Sequence, residues 1–448
     1  MIISIAGGGS TFTAGIVKSI ADRQKELGVN EVRLFDIDKE RQDKVGVVVD
    51  WLLKDMNSPI KLTLTNDPKE AYTDAKFIFA QIRVGKYEMR EKDEKIPLKH
   101  GAVGQETCGT GGLAYGLRTI NPMINLIDDV EKYAAKDHWI LNYSNPAAVV
   151  SEACRVLRPD ARIINICDMP IAMLEMIGHI VDVPYKEFDV DYFGLNHFGW
   201  FTKIEFEGRD IIKEVQAYVK ETNILLPKQH IDAIKKHQET SDRHANQSWI
   251  KVWTHIARIM NLFPEYLPNT YLTYYLMAKE SVEGSDKDFT RANEVMTTRE
   301  KTLFEGVDHY LKTGEITADA FYAGAHGDFI SDLAVALVSD TPQKFIIIEE
   351  NNGKIPNLQD DAMVELPAWI SKEGPEVIGI EPIGQFYKGM IEQQLASEKL
   401  LVEGAIEGSY TKVLQAFSMN KTVPSLEVAK DILDEMIIAN EGYWPTLK

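Results

Sequence analysis

Four side chains in the middle of the sequence could act together: Cys167, Asp168, His197 and Tyr271. A cysteine thiolate and an imidazole make a soft-plus-borderline pair able to hold a divalent metal, although their wide separation matches no zinc-finger pattern. Asp168 adds a carboxylate at the same strand end as Cys167. Tyr271 becomes a base only when nearby positive charge pulls its pKa down from about 10, and a metal would supply that charge. Each has a plain structural alternative. Cys167 reads as a small buried hydrophobe, Asp168 as the cap of a helix opening at Met169-Pro170, and His197 as a satisfied loop residue. Tyr271, Tyr274 and Tyr275 read as the apolar stripe of an aromatic helix beginning at Asn269. His244 and His326 are further imidazoles, but no second motif marks either as a ligand.

Arginines supply the complementary chemistry. Arg90 and Arg291 present planar forks suited to a phosphate monoester. Arg90 within Glu88-Met89-Arg90-Glu91, and Arg291 three residues before Glu294, read equally as helix-surface ion pairs.

The elements that must position these groups alternate between strand and helix in the first half. Ile2–Ala6 reads as a strand, Gly7-Gly8-Gly9-Ser10-Thr11-Phe12 as a glycine turn, and Thr13 to Leu27 as an amphipathic helix. That order lets backbone N–H groups and the positive end of a helix meet a pyrophosphate. Phe12 stands where the G-x-G-x-x-G fingerprint expects its third glycine. A second strand, Glu31 to Asp36, ends on a carboxylate suited to an adenosine ribose and repulsive to a 2′-phosphate, which favours NAD. Further strands are expected at Lys61–Thr65, Lys76–Ile82, Trp139–Asn142, Arg162–Ile166 and Asp189–Phe193. A glycine-rich stretch spans Gly101 to Gly116, followed by a helix from Asn121 to Ala135. This predicts a doubly wound, mainly parallel sheet over residues 1–195. Ligands gather beyond the carboxyl ends of such strands, where Arg83, Asn145, Cys167, Asp168, Asn196 and His197 all fall. The remainder, 196–448, reads as helix-rich with one pronounced strand at Phe345–Glu349.

At 448 residues, with 44% hydrophobic and 26% charged residues, the composition is that of a soluble globular protein of two or three packed units. The net charge of −19 argues against nucleic acid. No apolar stretch approaches the roughly 20 residues of a membrane helix. A strand beginning at residue 2 leaves no room for a leader. The three cysteines form no spaced framework, and together these features set the expectation of a cytoplasmic protein.

The segments GGGSTFT, RVGKYEMR, GQETCG, NYSNPAA, NICDMP, GLNHFGW, LPNTYL and TRANEVM, spread over essentially the whole chain, resemble glycoside hydrolase family four. This NAD- and metal-dependent group departs from two-carboxylate glycosidase chemistry. Within it the chain is most similar to the 6-phospho-α-glucosidases, because an aspartate follows Cys167 where β-type relatives carry asparagine. The resemblance implies a Rossmann-type domain followed by a helix-rich α+β catalytic domain, as in lactate and malate dehydrogenases. It implies that Cys167 and His197 hold Mn²⁺, that Asp168 protonates the leaving oxygen, and that Tyr271, its basicity reinforced by Glu106, removes the proton from carbon 2. Arg90, Asn145 and Arg291 would bind the phosphorylated sugar, and Gly7, Gly8, Gly9, Ser10, Thr11 and Phe12 with Asp36 would hold NAD. The implied activity is hydrolysis of α-linked 6-phosphoglucosides, such as maltose 6′-phosphate, by a homodimer or homotetramer. NAD would borrow hydride from carbon 3, elimination would expel the aglycone, and water and the same hydride would then add back. Alternatives are an NAD-dependent 2-hydroxy-acid dehydrogenase, a relative acting on β-linked or unphosphorylated glycosides, and a non-catalytic nucleotide-sensing module.

Overall fold

The computed structural model describes residues 1–232, 247–317, 321 and 327–448. His244 and His326 lie outside the described residues.

Six strands build the parallel half: β1 (Ile2–Ala6), β2 (Glu31–Phe35), β3 (Lys61–Thr65), β4 (Phe77–Ala80), β5 (Trp139–Asn142) and β6 (Ile163–Asn165). They lie in the order β3-β2-β1-β4-β5-β6, each pair of neighbours parallel. The order reverses between β1 and β4, which opens a crevice at their carboxyl ends. Helices cover both faces, so a strand such as β4 is apolar at every position. Phe77 and Phe79 enter one core and Ile78 and Ala80 the other, as the two-residue period of a strand requires.

The second half holds more strands than the sequence suggests. Besides β11 (Gln343–Glu350), the structure contains β7 (Asp189–Leu195), β8 (Phe198–Phe206), β9 (Arg209–Asp210), β10 (Leu267–Pro268), β12 (Met363–Ser371) and β13 (Gly374–Val377). They extend the same sheet as β6-β11-β12-β7-β8-β10, with antiparallel pairing throughout. In β12 a proline (Pro367) and a buried carboxylate (Glu365) interrupt the apolar pattern, and eight paired positions with β11 override that local signal. The two halves of the sheet meet lightly, through the single pair Ile348 and Asn165.

Three helices also differ from expectation. The stretch after the glycine turn divides into Thr13–Asp22 and Gln24–Leu27. The helix expected from Asn121 begins at Gly109 and runs to Tyr133. Its glycines serve close packing rather than a loop: a Cβ on Gly111 would lie 2.4 Å from the Asp93 carbonyl oxygen. The aromatic helix spans only Leu272–Leu276, so Tyr271 stands in the turn before it. No described helix is long and apolar enough to cross a membrane.

Candidate active site

β1 leads into Gly7, whose φ is +84° and whose Cβ, if present, would lie 2.6 Å from the Gln81 carbonyl oxygen. A Cβ on Gly8 would meet Leu34 Cβ at 2.7 Å, and one on Gly9 would meet Asp36 Oδ2 at 2.9 Å. The glycines therefore let the turn pack closely on β2 and on Gln81, the tight geometry that a dinucleotide-binding turn requires. Its N–H groups are mostly spent internally. Gly7 and Gly8 donate to the Phe35 carbonyl oxygen, Ser10 to that of Gly7, and Gly9 to Asp36 Oδ2 at 2.8 Å. The turn thus supplies shape more than the donors expected from sequence. Asp36 ends β2 beside it and also accepts the Asp38 N–H at 2.9 Å.

The arginines meet further along the same edge. Arg83 follows β4, and Arg90 lies on the helix Lys86–Lys99. Both pair with Glu106, Arg90 Nη1 at 2.8 Å from Oε2. Burial alone would raise the Glu106 carboxyl, yet Arg83 and Arg90 hold it down at about 2. Arg90 Nε also donates to Glu94 at 2.7 Å, leaving Nη2 without a protein acceptor among the described residues. Arg291 opens the helix Arg291–Val295 and keeps the expected ion pair with Glu294. Arg291 thus keeps its helix ion pair, Arg90 forms its pairs in a buried setting rather than on a helix surface, and both side chains line a cavity. That cavity, about 260 Å³, is walled by Arg90, Glu106, Tyr271, Tyr274 and Arg291, with Lys251 and His255 further out.

Cys167 and His197 come together although they are distant in sequence. Cys167 follows β6, and His197 sits in the two-residue turn joining β7 to β8, at φ +61°. A two-residue hairpin demands such backbone, which histidine enters more readily than bulky residues. Sγ lies 3.3 Å from Nε2, and both side chains are buried. Burial pushes His197 down to about 3, against the pull of Glu106, so its ring is neutral and offers a lone pair. Burial also pushes the Cys167 thiol up, reinforced by Asp168 and Glu365. Asn196 donates to Glu365 Oε1 at 3.2 Å, while Asn196 Oδ1 and Glu365 Oε2 are buried with no partner at hydrogen-bond distance among the described residues. No third cysteine, histidine or carboxylate among the described residues completes a ligand cluster. The pair fits a divalent ion that keeps open positions for substrate oxygens.

Tyr271 stacks on His197, centroids 3.9 Å apart and planes within 13°. Burial raises its phenol well above the ordinary value, with further upward contributions from Cys167, Cys108, Tyr274 and Glu106. Without added positive charge it is a protonated phenol. Tyr275 leaves this group and packs against Phe198. Asp168 stands at the N-cap position of the helix Met169–Val181, yet its side chain makes no capping bond. It accepts from the Tyr143 hydroxyl instead, which raises that phenol further beyond the effect of burial. Asn145 is half-buried after β5 and makes no side-chain hydrogen bond among the described residues.

Sequence reasoning placed Arg83 at a strand end without assigning it a role, and missed Glu94 and Glu365. No motif marks either glutamate; only their burial does.

Residues 2–183 match the model of the family 4 glycosyl hydrolases, and residues 192–423 match that of the family 4 glycosyl hydrolase C-terminal domain. The chain belongs to glycosyl hydrolase family 4. It is 46% identical to a maltose-6′-phosphate glucosidase of Fusobacterium mortiferum, over 100% of this chain and 99% of the relative. Two solved 6-phospho-α-glucosidases from gut microorganisms are similar over 100% of this chain and 99% of their own. One, in complex with NAD and glucose 6-phosphate, is 46% identical with a TM-score of 0.94. The other, in complex with NAD and Mn²⁺, is 41% identical with a TM-score of 0.91. Fold alone is shared with a malate dehydrogenase from Naegleria fowleri, 12% identical with a TM-score of 0.53 over 90% of this chain and 98% of that one.

Proposed function

We propose that this chain hydrolyses α-linked 6-phosphoglucosides, such as maltose 6′-phosphate, to glucose 6-phosphate, with NAD and Mn²⁺ as resident cofactors. The carrying observation is the cluster of Cys167, His197 and Tyr271 beside a cavity that holds two arginines. When bound, the cofactors supply a hydride acceptor for carbon 3 of the sugar and a Lewis acid that acidifies the proton on carbon 2.

Gly7 to Phe12 would cradle the dinucleotide, and Asp36 would accept from its ribose. Cys167 Sγ and His197 Nε2 would hold the metal. Arg90 and Arg291 fix the sugar phosphate with charge-assisted hydrogen bonds, together with Asn145. Arg90 does so from its Nη2 edge, because Glu94 and Glu106 occupy the rest of the guanidinium. The Tyr271 phenol oxygen takes the proton from carbon 2 in its deprotonated state, which the positive charge beside it must sustain. Asp168 passes a proton to the glycosidic oxygen as the bond from carbon 1 breaks. Glu106 raises the proton affinity of Tyr271 and anchors both arginines. The relatives named above support the α-linked, phosphorylated substrate. The three buried, unpaired cysteines support a reducing, cytoplasmic setting.

The test is product release from α- and β-linked 6-phosphoglucosides, with and without Mn²⁺, NAD and a reductant. The expected result is glucose 6-phosphate from the α-linked substrate only when both cofactors are present, with no net NADH. Stoichiometric NADH accumulation would instead support a dehydrogenase.

A further inference from the structure

Among the described residues, Arg162 and Arg299 are the arginines with no carboxylate in ion-pair contact. Arg162 stacks on Trp139 at 4.4 Å, at the start of β5, away from the ligand edge. Arg299 lies beside the glycine turn. Its Cζ is 4.1 Å from the centroid of the Phe12 ring, and Nη2 donates to the Tyr87 hydroxyl at 2.9 Å. Its Nε is buried and has no hydrogen-bond partner among the described residues.

The backbone around Arg299 is unusual. Residues Met296–Glu300 form a π-helical turn between the helices Arg291–Val295 and Lys301–Thr313. Such wide turns are rare and cluster at functional sites. This one is latched to the glycine turn by the next residue: Glu300 pairs with Arg41, whose Nε donates to the Gly9 carbonyl oxygen at 2.7 Å. The helical stretch that carries Arg291 at the sugar cavity therefore delivers Arg299 to the dinucleotide turn.

That turn keeps few donors free, because the N–H groups of Gly7, Gly8, Gly9 and Ser10 are spent internally and that of Phe12 goes to Ser10 Oγ. A pyrophosphate seated there carries two negative charges in a chain of net charge −19. The positive end of the helix Thr13–Asp22 offsets only part of this. An uncompensated guanidinium with an idle N–H is the complementary group. We propose that Arg299 is a ligand of the NAD pyrophosphate, brought from the second half of the chain onto the turn of the first. The inference rests on the NAD-dependent reading above.

The test is equilibrium binding, without substrate, of NAD, ADP-ribose and adenosine to the wild type and to Arg299→Gln, Arg299→Ala and Arg299→Lys. Loss of the guanidinium in the Gln and Ala variants should weaken NAD and ADP-ribose roughly 10- to 100-fold, the worth of a charged hydrogen bond. Adenosine should change by less than about twofold, and the Lys variant should fall between, since it keeps charge without the fork. Ligand-free melting temperatures report folding; should the neutral variants unfold, the Lys variant decides by the same phosphate-dependent loss. Equal weakening of adenosine would overturn the inference, since Arg299 would then only shape the turn through Phe12 or Tyr87. Unchanged NAD affinity would overturn it too. A wild type that binds no NAD would instead overturn the functional reading beneath it.

Discussion

The proposed dinucleotide end and the proposed sugar end of this molecule are built on different principles. The dinucleotide end is local: Gly7 to Phe12 are consecutive, Asp36 ends the neighbouring strand, and the work is done by backbone shape. The sugar end is assembled from Arg90, Glu106, Cys167, His197, Tyr271 and Arg291, which come from both halves of the chain and act through buried charge. Buried carboxylates make the contrast concrete. Glu106, between two arginines, is held at about 2, whereas burial pushes Glu365 up to about 7 and Glu398 up to about 8 with no cation to offset it. Burial alone neutralises a carboxylate; a paired guanidinium keeps it ionised.

Substitutions at the two ends should therefore fail differently. Tyr271→Phe removes the proposed general base and should lower kcat roughly 10²- to 10⁴-fold while leaving NAD affinity unchanged. Stopped-time product assays and NAD titration read the two quantities separately. Arg291→Ala should cost roughly 10- to 100-fold in kcat/KM on phosphorylated substrate and little on an unphosphorylated analogue. Equal losses on both would make Arg291 a structural residue. Gly7→Ala should show the converse pattern. It forces a Cβ into the Gln81 carbonyl oxygen at a positive φ, at a cost of about 1–3 kcal/mol. Calorimetry should show NAD affinity falling about tenfold, with the metal pair untouched.

The smallest effect concerns pH. Glu398 has a folded pKa of about 8 against an ordinary value of 4.5, with burial as the main cause. The folded state thus keeps a proton that the unfolded state releases between those values. The stability this contributes is complete below about 4.5 and is lost as pH rises through about 8. Glu398→Gln should flatten that slope and melt about 2 °C or more above the wild type at pH 8, relative to their difference at pH 5.

The same contrast explains what the sequence made legible. The strands β1 to β6, the glycine turn and Asp36 follow from short-range patterns, and the strand order β3-β2-β1-β4-β5-β6 completes the doubly wound arrangement they predict. Strand β12 was hidden because Pro367 and Glu365 interrupt its apolar run, and only pairing with β11 makes it a strand. The glycine-rich stretch Gly101 to Gly116 hid the start of the helix expected from Asn121, because the structure uses glycines from Gly109 onward to let that helix approach its neighbours. At the site, Cys167, Asp168 and His197 could be marked by residue type and strand end, because each falls where β6 or the β7–β8 hairpin terminates. The joining of Arg83 and Arg90 on Glu106, and the isolation of Glu365 behind Asn196, are products of packing between distant segments. No spacing in the sequence announces them.

The central claim is that Tyr271 abstracts the carbon-2 proton during hydrolysis, and isotope exchange tests it directly. Hydrolysis of maltose 6′-phosphate in deuterated water, followed by NMR of the glucose 6-phosphate formed, should place deuterium at carbon 2. Full retention of protium at that carbon would contradict the account.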